Sequence, residues 1–178
     1  MAYLCLVYCA LWLGWLGYIM RRLATRAGAP APVALPAPLP RVSILIAARN
    51  EEAALPRCLA SVRALQYPAH LLEVLVGDDA STDRTRAVAE AAMQGFAGSF
   101  QVVTITETLG QARGKANVLA HLTHRATTDY FLLTDADIAL PATWVSALLA
   151  HAAPRVGTVT GLTVVQGTSL MAHLQGID

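Results

Sequence analysis

A chain of 178 residues suffices for one well-cored domain with an appendage and falls short of two full domains. Its apolar share of 55% and mean hydropathy of +0.47, against 14% charged residues, exceed what a globular domain in water needs, so part of the chain is expected to meet lipid. A formal net charge of +1 with no basic, aromatic-interleaved run after residue 26 argues against nucleic acid as a partner, and Cys5, Cys9 and Cys58 form neither a disulfide framework nor a C-x-x-C metal pair, as fits a reducing cytosol.

Ala2 to Met20 runs for nineteen residues without a charge. As a helix it would rise roughly 28 Å at about 1.5 Å per residue, against a hydrocarbon core of about 30 Å. Residues 1–22 are therefore expected to form a single transmembrane anchor, with Trp12, Trp15 and Tyr18 as interfacial aromatics. Arg21, Arg22 and Arg26 follow the stretch and nothing basic precedes it, which places the rest of the chain on the cytoplasmic side of the cell membrane. The same order of charges disfavours a cleaved signal peptide, whose basic residues come first. Residues 23–40 hold Pro30, Pro32, Pro36, Pro38 and Pro40 among alanines, a composition that predicts a semi-rigid linker.

From residue 41 to 178 the pattern becomes short apolar runs alternating with amphipathic stretches, which predicts an α/β domain with a mostly parallel sheet flanked by helices. The expected first strand is Val42 to Ala47. A helix follows from about Ala53 to Leu65, with Pro56 tolerated in its first turn. Leu72 to Val76 is the second strand, and Ser81 or Thr82 is expected to cap a helix reaching about Met93. Phe100 to Ile105 reads as a third strand, Thr106 to Arg113 as a loop, Gly114 to about Ala126 as a helix and Tyr130 to Thr134 as a fourth strand. Pro141 opens a helix through about His151, Val156 to Thr160 suggests a fifth strand, and Ser169 starts a further helix.

Open parallel sheets bind ligands at the carboxyl ends of their strands, near the point where strand order reverses. That rule selects Ala48 to Glu52, Asp78-Asp79-Ala80-Ser81 and Asp135-Ala136-Asp137. Four aspartates on one rim repel one another unless a cation neutralises them, and an all-oxygen ligand set suits Mg2+ or Mn2+. Such a cation would offset charge on a leaving diphosphate, with Lys115 adding a contact. Each signal has a bland counterpart, since aspartates after strands also cap turns and helices. Gly110 to Ala116 departs from the phosphate-binding P-loop in spacing and in its missing hydroxyl, and His121 with His124 lacks a third metal ligand.

Taken in order, the segments Val42 to Glu52 (VSILIAARNEE), Val76 to Asp83 (VGDDASTD), Gly114-Lys115-Ala116-Asn117 and Thr134-Asp135-Ala136-Asp137 resemble the family 2 glycosyltransferases of GT-A fold, over roughly residues 41 to 178. The resemblance implies a Rossmann-like sheet and a hexosyltransferase-like enzyme that moves a sugar from a nucleoside-diphosphate sugar to a lipid or saccharide acceptor, with inversion, at the cytoplasmic membrane face. It further implies that Ala48, Arg49, Glu51, Asp78 and Asp79 hold the nucleoside. Lys115 would face the nucleotide, Asp137 would bind the metal and diphosphate, and Asp135 would reach the ribose or the cation.

Ala47 stands where the family commonly has proline, a change that removes no polar group. The family's general base is a carboxylate well downstream of D-x-D, so the base is expected beyond Asp178 and the chain as it stands to be incomplete for catalysis. Two other readings compete. Phe131 to Leu140 also resembles the strand-borne D-x-D nucleophile of haloacid-dehalogenase-type phosphatases, and the rim without its base would suit a non-catalytic nucleotide-sugar-binding module.

Overall fold

A computed structural model describes residues 2–26 and 34–161 of the chain, which divides into two units, Met1–Pro32 and Val33–Asp178. In the first unit one helix, α1, covers Ala2–Arg26. Its surface displays Tyr3, Tyr8, Trp12, Trp15 and Tyr18. The Trp12 indole N–H donates to the Tyr8 hydroxyl at 3.1 Å, and the Trp12 and Trp15 rings meet edge to face with centroids 5.6 Å apart. Among the described residues no helix is long and apolar enough to cross a membrane, so the expected span is not met there. In the proline-rich linker, residues 34–40 form neither helix nor strand, and residues 27–33 lie outside the described residues.

The second unit runs β1 (Val42–Ala48), α2 (Leu55–Arg63), a single 3-10 turn (Ala69–Leu71), β2 (Leu72–Asp78), α3 (Thr85–Ala92), β3 (Ser99–Thr104), α4 (Gly114–Arg125), β4 (Tyr130–Asp135) and α5 (Trp144–Leu149). The strands form one sheet in the order β3-β2-β1-β4, and every pairing is parallel. β1 and β2 are apolar along nearly their whole length because both faces are covered. Ile44, Ile46, Val74 and Val76 face the layer formed by α2, α3 and α5, while Leu45 and Leu75 meet Val118 and Leu122 of α4 on the other face. Each such fully buried aliphatic side chain contributes about 1.5 to 3 kcal/mol.

Three expectations need correction. Val156 to Thr160 is not a strand: Arg155 sits at φ 77°, the Val156 N–H turns back to the Ala153 carbonyl, and Val156 is exposed with no strand beside it. α3 is not capped by Ser81 or Thr82. The helix starts later than expected, at Thr85 with Arg84 in the N-cap position and no side-chain cap, while the Asp83 Oδ1 just ahead of it accepts the Thr85 N–H at 2.9 Å. β2 and β4 each extend to the aspartate that the sequence placed just after them. The helix expected from Ser169 and the terminal Asp178 lie outside the described residues.

Two features hold the sheet against its surroundings. At the amino-terminal edge, the buried Glu73 carboxylate accepts hydrogen bonds from the Ser43 hydroxyl at 2.5 Å and from the Thr127 N–H and hydroxyl at 2.9 Å each. This ties β1, β2 and the segment before β4 together. On the α4 face, a Cβ placed at Gly77 would stand 2.3 Å from Val118 Cγ1, so only glycine lets helix and strand approach this closely. Gly77→Ala is expected to cost about 1 to 3 kcal/mol through overpacking, read as a lower urea midpoint at unchanged m value.

Candidate active site

β1 is the hinge of the topology: β2 lies on one side of it and β4 on the other, so the loops leaving β1 and β4 diverge and open a crevice at the carboxyl end. The cleft has a volume of about 420 Å3. Its walls are Ala47, Ala48, Arg49 and Glu51 after β1, Asp79 after β2, Gly114, Lys115 and Val118 of α4, and Asp135, Ala136 and Asp137 at the end of β4. Of the residues singled out in the sequence, Ala48, Arg49, Glu51, Asp79, Lys115, Asp135 and Asp137 thus share one cavity. Asp78 does not line it. Asp78 is buried at the end of β2, where its Oδ1 accepts the Ser81 N–H at 3.1 Å and shapes the turn that presents Asp79.

The two nucleoside-side loops are laced to each other. The Asp79 N–H donates to the Ala48 carbonyl at 3.0 Å. Asn50 and Ala80 both adopt left-handed backbone, at φ 56° and 52°. Asn50 tolerates this and spends its side chain on the opposite loop, its Oδ1 accepting the Thr82 N–H at 2.8 Å. In return the Ser81 hydroxyl accepts the Asn50 N–H, the Thr85 hydroxyl the Glu51 N–H, and the Asp83 carboxylate the Glu52 N–H. Three hydrogen bonds to the Asp83 carboxylate, from Thr85 twice and Glu52, outweigh its desolvation and hold it below the ordinary aspartate range. Across the cleft wall, Arg49 Nη1 approaches Asp79 Oδ2 at 3.4 Å.

On the opposite wall, Gly114 at φ 51° starts α4 and swings Lys115 over the end of β4, where its ammonium pairs with Asp135 Oδ1. The loop before Gly114 is anchored by Asn117, buried in α4. Its Oδ1 accepts the Leu109 N–H and its Nδ2 donates to the Glu107 carbonyl, both at 2.8 Å. His121 Nε2 lies 2.9 Å from the same carbonyl. Asn117 was part of the motif, but nothing in the sequence announced that it would brace the loop.

The cleft joins two cations, Arg49 and Lys115, to four carboxylates, Glu51, Asp79, Asp135 and Asp137. Among the described residues no group of three or more His, Cys, Asp or Glu is arranged to hold a metal ion by itself. Asp135 and Asp137 supply oxygen only, and the exposed Asp137 carboxylate accepts no hydrogen bond from the described residues. A hard divalent cation commonly takes one or two carboxylates and completes its shell with water and phosphate oxygens, and this donor set fits that pattern.

Residues 43–170 match the family model described as Glycosyl transferase family 2. The beta-monoglucosyldiacylglycerol synthase of Synechocystis sp. is 32% identical over 104 residues, covering 58% of this chain and 21% of the relative. The probable glycosyltransferase YdaM of Bacillus subtilis is 32% identical over 99 residues, covering 56% and 23%. Among solved structures, the mannosyltransferase PcManGT from Pyrobaculum calidifontis, in complex with GDP-Man and Mn2+, superposes with a TM-score of 0.71 at 28% identity, covering 84% of this chain and 43% of that one. The chain therefore spans less than a quarter of the length of these curated relatives.

Proposed function

The chain belongs to glycosyl transferase family 2, and from that premise we propose that its cleft binds a nucleoside-diphosphate sugar with Mg2+ or Mn2+ and directs the sugar to a lipid or saccharide acceptor at the cytoplasmic face of a membrane. The carrying observation is the charge balance of the cleft. A diphosphate cannot settle among four carboxylates opposed by two cations unless a further positive charge enters with it. Membership of the family leaves the phosphatase reading without support, and D-x-D here ends the fourth strand in chain order instead of an early one.

Asp137, with Asp135, would hold the divalent cation, which when bound supplies Lewis-acid stabilisation of the leaving diphosphate. The chain's own groups do the rest. Lys115 donates its ammonium protons to diphosphate oxygens, exchanging its pairing with Asp135. Asp79 and the backbone of Ala48 meet the nucleoside, with Arg49 and Glu51 beside them. In the inverting transfer, the acceptor hydroxyl oxygen bonds to the anomeric carbon as the bond from that carbon to the diphosphate oxygen breaks. The hydroxyl proton passes to a general base, a role assigned to none of the described carboxylates.

Calorimetry of the chain with UDP and with GDP, each with and without Mn2+, tests the reading. Binding that strengthens with manganese supports it; nucleotide binding indifferent to the ion, or absent with both nucleotides, refutes it. The GDP-Man and Mn2+ bound by PcManGT favour including the guanosine arm.

Membrane attachment is the second part of the proposal. It is supported by the exposed Tyr8, Trp12, Trp15 and Tyr18 of α1, followed by Arg21, Arg22 and Arg26, and by the lipid named for the Synechocystis relative. Basic residues next to an anionic leaflet are worth about 1 kcal/mol each. Converting the three arginines to glutamine is expected to weaken binding to phosphatidylserine-containing vesicles by on the order of 100-fold. Flotation of wild type and variant on neutral and anionic vesicles measures it, and equal flotation of the two on anionic vesicles would remove the arginines from the account.

A further inference from the structure

We propose that Arg57, Cys58 and Ser61 on one face of α2 are positioning residues for the D-x-D loop, holding Asp135 and Asp137 in the register that a divalent cation requires. The inference rests on the nucleotide-sugar reading of the cleft and adds to it the part of the fold that aims the carboxylates.

After Asp135 the chain leaves the sheet, and until α5 begins at Trp144 it has no regular structure to fix it. An exposed segment bearing two carboxylates two residues apart is driven apart by their repulsion. Something must bind its backbone. Within the loop the backbone contributes two turn bonds, from the Ile138 N–H to the Asp135 carbonyl at 3.3 Å and from the Trp144 N–H to the Pro141 carbonyl at 2.9 Å, and only the first lies at the carboxylates.

Beyond α2 the Gln66 N–H holds the Ala142 carbonyl at 2.8 Å near the end of the loop, and three further anchors, around the carboxylates themselves, come from α2. Arg57 Nη2 donates to the Asp137 carbonyl at 2.6 Å, a short charge-assisted bond to the main chain of the very residue that carries the outer carboxylate. Cys58 Sγ lies 3.5 Å from the Asp135 carbonyl and donates to it. Ser61 Oγ accepts the Leu140 N–H at 2.9 Å while donating to the Cys58 carbonyl at 2.6 Å. Positions 57, 58 and 61 lie within one turn of α2; Cys58 reaches the loop at Asp135, Arg57 at Asp137 and Ser61 at Leu140. Ala136 and Leu140 are buried in the same core cluster as Cys58, so the loop is pinned from beneath by packing as well. Arg57 itself is exposed and gives the sheet nothing; its bond serves the loop alone.

Manganese binding to the full chain of 178 residues tests this, read as loss of the free Mn2+ signal in electron paramagnetic resonance, alone and with UDP or GDP. Arg57→Ala is expected to weaken manganese binding about tenfold, with the melting temperature of the metal-free protein within about 5 °C of wild type. Arg57→Lys should recover part of the loss. Arg63→Ala removes the α2 arginine that bonds the Ala92 and Gln94 carbonyls away from the loop, and is expected to bind as wild type does. Ser61→Ala should act in the same direction as Arg57→Ala. Arg57→Ala at wild-type affinity beside a defective Asp137→Ala overturns the positioning role and leaves the cleft reading intact. A wild type that takes up no manganese in either condition overturns both.

Discussion

Replacing Asp137 with alanine is expected to lower the affinity for UDP or GDP in the presence of Mn2+ by on the order of 100-fold, because loss of a residue that holds the ion directly should cost at least as much as loss of a group that only supports such a residue. Affinity without manganese should change little. The Asp137 carboxylate accepts no hydrogen bond from the described residues, so its removal strands no donor. It also relieves repulsion from Asp135, and the ligand-free variant should melt no lower than wild type. Calorimetry and thermal denaturation on the same sample separate the two effects. Affinity unchanged with manganese would show that the ion is held elsewhere.

The largest loss of stability is expected at the other end of the sheet. Glu73→Ala leaves the Thr127 N–H and the Ser43 and Thr127 hydroxyls without their buried acceptor, for a cost of about 3 to 5 kcal/mol. Burial pushes the Glu73 carboxyl up, but the Ser43 hydroxyl, the two Thr127 donors and Arg41 together outweigh it and hold it below the ordinary glutamate value of 4.5. Its contribution is therefore complete above that value and is lost as pH falls through the depressed folded value. Glu73→Gln should be less stable than wild type near neutrality, with the gap closing in the acid below pH 4.5. Urea unfolding of both proteins across that range checks the sign; a gap that widens in acid would show that the carboxyl is protonated in the native state. Since Glu73 does not line the cleft, any nucleotide binding by the folded fraction should persist.

The parallel sheet was legible because burial on both faces leaves an unbroken apolar mark, as in Val42 to Ala47 and Leu72 to Val76. The cleft residues were legible because chemistry at strand ends needs carboxylates and cations at positions where packing needs neither. Asp78 shows the limit of that logic. Its type and place suit a ligand contact equally well, and only the fold reveals that it is turned inward to hold Ser81. Glu73 and Arg57 gave no sequence signal at all, because the groups each acts on lie 30 to 80 residues away in the chain. Val156 to Thr160 failed for the opposite reason: strand propensity without a neighbouring strand has no hydrogen bonds to satisfy it.

Because β4 docks on the far flank of β1, the halves of the cleft are made at very different moments of synthesis. A nascent chain that has emerged only as far as α3 carries Arg49 and Asp79 but lacks the opposing wall. On the proposed reading, manganese-dependent nucleotide binding would report the joining of β4 to β1, and nucleotide with manganese added during translation would stabilise the polypeptide only after Asp137 has left the ribosome.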